Sequence, residues 1–315
     1  NDFIKSVAKE SPRGWFPRGF TGEQPYWTIV GLDGGTEQGL MGEDGAVEVA
    51  KGGYSLEPFV IVDGTLVNWA DAKISQSLQD GYLPIPSVDW NHEAFGLRVT
   101  SFVQGEPEHS QLVTRYLLSN TTTTPQQYAL AIAVRPLQVN PPSQFLNTAG
   151  GVSPIHALSV REGYICVNGK ECARGTKSIA AFATTFESGD VVERLSKADW
   201  TDFFNQEETT GVSYPSLNLD GDKVNDPEGL ASGALLYRAQ LAPGESYEVD
   251  LIVPMTGKLQ GKGASPPPAT GEQMQESVAR QWRDKLDEVS IKVPPQGEEF
   301  IDTLRTATAH MLISR

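Results

Sequence analysis

Apolar residues alternate with polar or small ones in segment after segment of this chain, and turn residues separate the segments. The pattern is clearest in 84–106 (PIPSVDWNHEAFGLRVTSFVQGE), 110–120 (SQLVTRYLLSN) and 126–140 (QQYALAIAVRPLQVN). Leu112, Val113, Tyr116 and Leu118 recur in the second, and Tyr128, Leu130, Ile132 and Val134 in the third. A period of two lines up side chains on one face of a strand, so these runs predict half-buried antiparallel strands.

Shorter runs extend the pattern on both sides. Before it lie 26–32, 45–50, 54–62 and 65–78; after it lie 155–160, 163–168, 177–183 and 190–195, then 231–241 and 246–255. Asp63-Gly64 and Asn168-Gly169 sit between apolar runs, the strongest short-range signal for a hairpin. With 31 glycines and 21 prolines, the chain has the turn residues that about a dozen strands require. The predicted fold is mainly β: a large antiparallel β-sandwich over 1–256, followed by a short helical tail. Residues 1–25 have no clear period and read as an aromatic arm over the core. The stretch 196–206 reads as a short helix capped by Ser196, with Asp199 three residues on, and 207–228 as a loop.

The pattern changes after the sandwich. Residues 257–271 (GKLQGKGASPPPATG) are a linker by composition. In 272–289, Met274, Val278, Trp282, Leu286 and Val289 form one helical stripe; in 297–315, Phe300, Ile301, Leu304, Ala307 and Met311 do the same. The last helix has neither a Gly cap nor a following Pro, so the natural chain is expected to continue.

Net charge is −15, and no cluster of Lys and Arg forms, which argues against nucleic acid or anionic membrane as a partner. No apolar run approaches the roughly 20 residues that span a bilayer. The four histidines lack metal-ligand spacing, so neither a metal nor a cofactor is expected. Cys166 and Cys172 flank a hairpin turn. A two-residue turn sets them on opposite faces and a three-residue loop aligns them for a bridge; the register is open. Two cysteines say little about compartment, and an extracytoplasmic location is only slightly favoured.

The strings 80–90 (DGYLPIPSVDW), 133–147 (AVRPLQVNPPSQFLN) and 300–315 (FIDTLRTATAHMLISR), in this order of elements, resemble bacterial two-domain carbohydrate enzymes. These are the glucoamylase-like and cellobiose-phosphorylase-like families, including an uncharacterised glycosyl-hydrolase-like subfamily, some with discoidin-type modules. The likeness covers about residues 26–315. It implies a galactose-mutarotase-like supersandwich preceding an (α/α)6 barrel that supplies the catalytic carboxylates. Residues 272–315 would then be a linker helix and the barrel's first helix. Partners would be an oligo- or polysaccharide and the chain's own C-terminal barrel. No catalytic residue carries over.

Candidate contacts to carbohydrate follow from residue type. Trp90, with Asp89 and Asn91, offers an aromatic face beside hydroxyl-binding groups; Trp69 and Tyr82 offer further rings. For Trp90 and Trp69 the preferred reading is structural, as a core residue or a strand-end turn. Arg135, Gln138 and Asn140 begin a rigid, amide-rich loop that could dock on a partner domain, contact sugar, or simply lie ordered at the surface. Three functions are therefore carried forward: a non-catalytic domain bracing a barrel, a free-standing carbohydrate-binding module, and a mutarotase-like enzyme. The third needs a converging His and carboxylate, and the adjacent His92 and Glu93 point to opposite strand faces.

Overall fold

The computed structural model describes residues 1–161, 163–170, 172–176, 178–205, 217, 221–256, 270–289 and 291–315. Among them are seventeen strands in two antiparallel sheets. The first sheet has the order β1 (Trp27–Val30), β2 (Gly39–Gly42), β3 (Val47–Glu48), β4 (Ser55–Val62), β10 (Gln126–Arg135), β16 (Ser232–Leu241), β14 (Ala180–Thr184), with β5 (Thr65–Val67) also on β4. The second runs β15 (Lys223–Asn225), β11 (Ala157–Arg161), β12 (Tyr164–Val167), β13 (Ala173–Gly175), β17 (Ser246–Pro254), β9 (Gln111–Ser119), β8 (Gly96–Gln104), β7 (Pro86–Asn91), β6 (Lys73–Leu78).

The main core lies between the sheets. Tyr128, Leu130, Ile132 and Val134 of β10 face it, opposite Trp90, Leu97, Val99 and Tyr116. The expectation of half-buried strands needs a correction at the centre. Every residue of β4, and every residue of β10 from Tyr128 onward, is buried. The outward positions of β10 are Ala129, Ala131 and Ala133, and small side chains leave room for a helical layer. That layer is α3 (Val191–Lys197) and α4 (Thr201–Asn205), which with Trp200 between them pack Val191, Val192, Leu195 and Phe203 on the alanines.

Several expected elements differ. The run 190–195 is not a strand. Asp190 accepts a hydrogen bond from the Glu193 amide at 3.0 Å and caps α3, overriding the β-branched valines. Ser196 lies inside α3 rather than capping the next helix; Asp199 accepts the Thr201 N–H at 3.0 Å instead. The single run 65–78 is two strands in different sheets. Asn68 caps a 3-10 turn at Trp69–Asp71 that carries the chain across. Residues 2–10 form α1 (Asp2–Glu10) and 18–21 form α2 (Arg18–Thr21); α1 buries Ile4 and Ala8 on Phe16, Leu137 and Phe20 of α2, so the expected arm over the core is partly helical. Residues 257–269 of the expected linker, and most of 207–220, lie outside the described residues.

The outer face of the second sheet carries α5 (Gly271–Leu286), and α6 (Glu298–Ser314) packs against α5 and β1. Thr270 and Gln273 form a capping box at the start of α5. Met274, Val278, Trp282 and Leu286 lie against Ile85, Phe102, Val113 and Ile252, so the stripe read from sequence is the buried one. Val289, assigned to the same stripe, is exposed. In α6 the buried residues are Ala309 and Ile313, not the apolar stripe read from sequence.

Pairs Tyr164↔Arg174 and Ile165↔Ala173 continue to set Cys166 opposite Cys172, and the two form a disulfide. Five residues separate them in sequence, among them Asn168 and Gly169, both with positive φ. In a chain-entropy treatment so small a loop is worth about 2 kcal/mol. A Cys166→Ser/Cys172→Ser variant is expected to lose about that much in urea unfolding, and dithiothreitol should bring the wild type to the same midpoint. Two titratable thiols in the unreduced native protein would contradict this.

Candidate functional site

Two regions bring the sequence candidates together. The first is one end of the sandwich, where the N-terminal arm, the β2–β3 turn and the loop after β10 meet. Arg135, at the end of β10, is 1% exposed. Its guanidinium donates to the Trp15 carbonyl at 2.7 Å, to Glu57 at 2.9 Å and to Asp190 at 2.8 Å, and it stands 4.8 Å over the Phe16 ring. Burial pulls its pKa down, but Glu57 and then Asp190 outweigh that and hold it above its usual value. Arg135 therefore faces inward and ties the arm and α3 to the first sheet. Asn140 is buried too: its amide donates to Glu48 at 3.0 Å and its side chain to the Thr148 carbonyl at 3.3 Å.

Trp90 is 1% exposed, and its indole N–H donates to the Asp44 carbonyl at 2.9 Å. Trp69 is buried beneath two guanidiniums, Arg18 at 4.1 Å and Arg13 at 4.7 Å from the ring centre. Arg13 in turn forms a two-pronged ion pair with Glu23, which holds that carboxyl below its usual pKa. Neither tryptophan offers a free face. Asp89 is paired with Arg98 at 2.7 Å and Asn91 is exposed at the strand end. The tight turn 92–95 is closed by a bond from His92 N to the Phe95 carbonyl, with the His92 ring stacked on Phe95.

Gln138 is the candidate that borders open space. It is 5% exposed, its amide nitrogen donates weakly to the Val152 carbonyl at 3.4 Å, and its Oε1 has no hydrogen-bond partner among the described residues. It lines a cleft of about 20 Å³ shared with Arg18, Tyr26, Glu43 and Asp44. Sequence reasoning missed the last four. Their only signal was an aromatic, Arg-containing arm, and a turn brings Glu43 and Asp44 to it from β2.

Asp44 is the electrostatically unusual member. Burial pushes its carboxyl from 3.8 up to about 6; the Ala46 amide, donating at 3.0 Å, and Arg18 pull the other way. A raised native pKa means the folded state binds the proton more tightly than the unfolded chain. This contribution is most favourable below the unfolded value and declines as pH rises from 3.8 to about 6. Asp44→Asn keeps the acceptor for Ala46 and removes the charge. The variant is expected to be more stable at pH 7, by up to about 3 kcal/mol, and to lose part of the decline between about pH 4 and 6. Part will remain, because burial and Glu248 also raise Asp250 to about 6. Chemical denaturation across pH checks this; an unchanged slope would contradict it.

The second region is the α5–α6 layer. Tyr82 lies in it, half-buried under the Arg305 guanidinium at 4.8 Å, with its carbonyl accepting from Thr306 at 3.0 Å. Beside it runs an open groove of about 470 Å³ lined by Gly81, Glu299, Asp302, Thr303, Thr306 and His310. Burial holds His310 below its usual pKa, and its Nε2 is 3.5 Å from the Thr28 hydroxyl. Farther round α6, Phe300, Leu304 and Met311 are exposed at 77%, 46% and 63%. Among the described residues no three His, Cys, Asp or Glu side chains converge as a metal site, and no helix is long and apolar enough to cross a membrane.

No family model and no curated protein matches the sequence. Among solved structures, a bacterial glucoamylase complexed with acarbose aligns over 89% of this chain and 36% of its own, with 10% identity and a TM-score of 0.43. A polysaccharide lyase aligns over 81% and 34%, with 14% identity and a TM-score of 0.33. A protein described as a kojibiose phosphorylase from the human microbiome aligns over 92% and 34%, with 7% identity and a TM-score of 0.31. The chain thus spans about a third of the length of each. All three are named for carbohydrate chemistry, and likeness at this level carries no residue or activity over to this chain.

Proposed function

We propose that the chain is the non-catalytic sandwich module of a carbohydrate-active enzyme, and that its work is to brace a helical domain through α6. In this reading 1–256 are the sandwich, 257–271 the linker, and 272–315 a linker helix and the first helix of an (α/α)6 barrel. The carbohydrate class rests on the resemblance carried by 80–90, 133–147 and 300–315.

The observation that carries the bracing role is where apolar surface concentrates. Of the eleven exposed large hydrophobic residues among those described, six lie between 289 and 311: Val289, Ile291, Val293, Phe300, Leu304 and Met311. A concentration of this kind marks an interaction surface. Phe300, Leu304, Ala307 and Met311 follow one another by four, three and four residues, the spacing by which one helix receives another. The other side of α6 is already committed to α5 and to β1 through Ala309 and Ile313. A helix sandwiched between a sheet and a helical partner needs two apolar sides, and α6 has them.

The other readings have less behind them. A binding module built on Trp69 and Trp90 lacks exposed rings, and His92 and Glu93 sit on a tight turn rather than in a concave face. Because a disulfide persists in oxidising surroundings, the proposed module works in such a compartment.

Two results test the reading. Purified chain incubated with α- and β-linked oligosaccharides, with and without inorganic phosphate, should release no reducing sugar or sugar phosphate; turnover would overturn the non-catalytic role. The reading frame beyond codon 315 should encode a helical array, and a stop codon there would overturn the bracing role.

A further inference from the structure

A strand at the edge of a sheet leaves alternate N–H and C=O groups without a partner, so proteins cover, shorten or charge such strands. The ends of the two sheets differ in this respect. At one side of the sandwich β14 lies against β11 and β15, and β15 has three residues, so the sheets close on each other there. At another end α6 packs against β1. β6 is left. It ends the second sheet, has six residues and pairs with β7 alone among the described residues. Its register runs from Lys73↔Asn91 to Leu78↔Pro86 without a bulge, it contains no proline, and Lys73 is its only charge.

The ladder fixes which backbone groups of β6 point away from it. In an antiparallel pair, opposed residues alternate between exchanging both hydrogen bonds and exchanging none. The Gln79 amide donates to the Ile85 carbonyl at 3.1 Å, so that pair is a bonded one and Leu78↔Pro86 is not, as the missing proline N–H requires. The other side of β7 agrees: His92 donates to the Phe95 carbonyl at 3.0 Å, which places the bonds to β8 at the even residues and those to β6 at the odd ones. Lys73, Ser75 and Ser77 therefore bond to β7, and Ile74, Gln76 and Leu78 turn their N–H and C=O groups off the edge. No backbone hydrogen bond reaches those groups among the described residues. Turned on itself about a two-fold axis at Gln76, the segment is self-complementary. Ile74 meets Leu78 of a second copy, Ser75 meets Ser77, Gln76 meets its own counterpart, and Lys73 meets the uncharged Gln79. Ile74 and Leu78 are each half-buried, so their pairing buries both further. Apolar and hydroxyl pairs stabilise strand pairing, and no like charges stand opposed.

We propose that β6 is a self-association edge: two copies of the chain pair β6 antiparallel to β6 about a two-fold axis at Gln76 and join their second sheets into one. The pairing forms about six hydrogen bonds, one from each outward N–H of each copy. The contact is the same patch on both copies, so it closes at two and leaves no β6 edge free to propagate. It rests on neither the carbohydrate class nor the bracing role of α6.

Analytical ultracentrifugation of the 315-residue chain from about 1 to about 500 μM tests it, and dimer is expected to accumulate across that range. Gln76→Pro removes an outward N–H and no bond to β7, so it should weaken association about tenfold or more and keep the wild-type melting temperature. Ser75→Lys/Ser77→Lys sets like charges opposite each other and should weaken association as much, as should Ser75→Glu/Ser77→Glu. Both serines are exposed, so these variants decide the matter even if Gln76→Pro folds poorly. A mixture of the lysine and glutamate variants should associate again, which damaged folding would not allow. A monomer at every concentration, a dimer left unaltered by the folded variants, or a mixture that fails to associate would overturn the proposal. A dimer split by Phe300→Glu and not by the β6 variants would overturn it too, the copies then meeting through α6.

Discussion

Arg135→Ala is expected to lower the unfolding free energy by about 3–5 kcal/mol, a large part of the stability of an ordinary domain. The reason is what the substitution leaves behind. Glu57, 6% exposed, would lose the guanidinium 2.9 Å away and keep only the Ser55 hydroxyl at 2.7 Å. Asp190 would lose one partner and keep its role at the start of α3. The Trp15 carbonyl would lose its donor, so the N-terminal arm would loosen with the sheet. Breaking one member of a buried cluster costs far more than the cluster is worth against apolar residues, because desolvation of the survivor is no longer offset. Arg135→Met/Glu57→Gln should therefore recover part of the loss. Urea midpoints give both values. A loss under about 1 kcal/mol for Arg135→Ala would mean that the cluster is open to solvent.

Trp90→Ala is the second large effect, about 3–5 kcal/mol from removal of a buried aromatic and the cavity left between the sheets. Trp90 pairs across to Ile74 and Leu97, and its ring nitrogen is 3.4 Å from the position a side chain on Gly45 would take. Gly45 has φ 88°, so the turn bringing the Asp44 carbonyl to the indole is one that glycine readily makes. Trp90→Phe should fall between wild type and alanine, since it keeps ring volume but strands the Asp44 carbonyl. Thermal and urea unfolding check the order. If Trp90→Ala leaves stability intact and abolishes sugar binding instead, the residue is a binding platform and its place in the core is wrong.

These two residues show what the sequence could and could not convey. Trp90 and Arg135 were conspicuous as residue types, and both had a core or structural alternative beside the functional one. Which alternative holds depends on partners far away in sequence: Asp44 for Trp90, Glu57 and Asp190 for Arg135. No local pattern reports such partners. The strands were legible because alternation is local, and Asp63-Gly64 and Asn168-Gly169 adopt the positive φ values their turns need.

Burial on both faces of β10 was harder to see. In YALAIAV the alternation is large against small rather than apolar against polar, which is the mark of a sheet covered on both sides. Asp190 turned two valines into a helix because a side-chain cap outweighs the weak β preference of Val191 and Val192. The stripe on α6 was visible, but periodicity gives a stripe without saying what it faces. The cleft lined by Tyr26, Arg18, Glu43 and Gln138 joins three separate segments, and of these residues only Gln138 stood out in sequence.

The central claim is that α6 is an interface between the sandwich and a helical partner. Amide hydrogen exchange over residues 289–314 tests it most directly, comparing this 315-residue chain with the complete gene product. The expected result is at least tenfold slower exchange of these amides in the complete product, with the strands of the sandwich unchanged, since docking buries Phe300, Leu304 and Met311 and suppresses fraying of the helix that carries them. Equal exchange of α6 in the two proteins would contradict the claim.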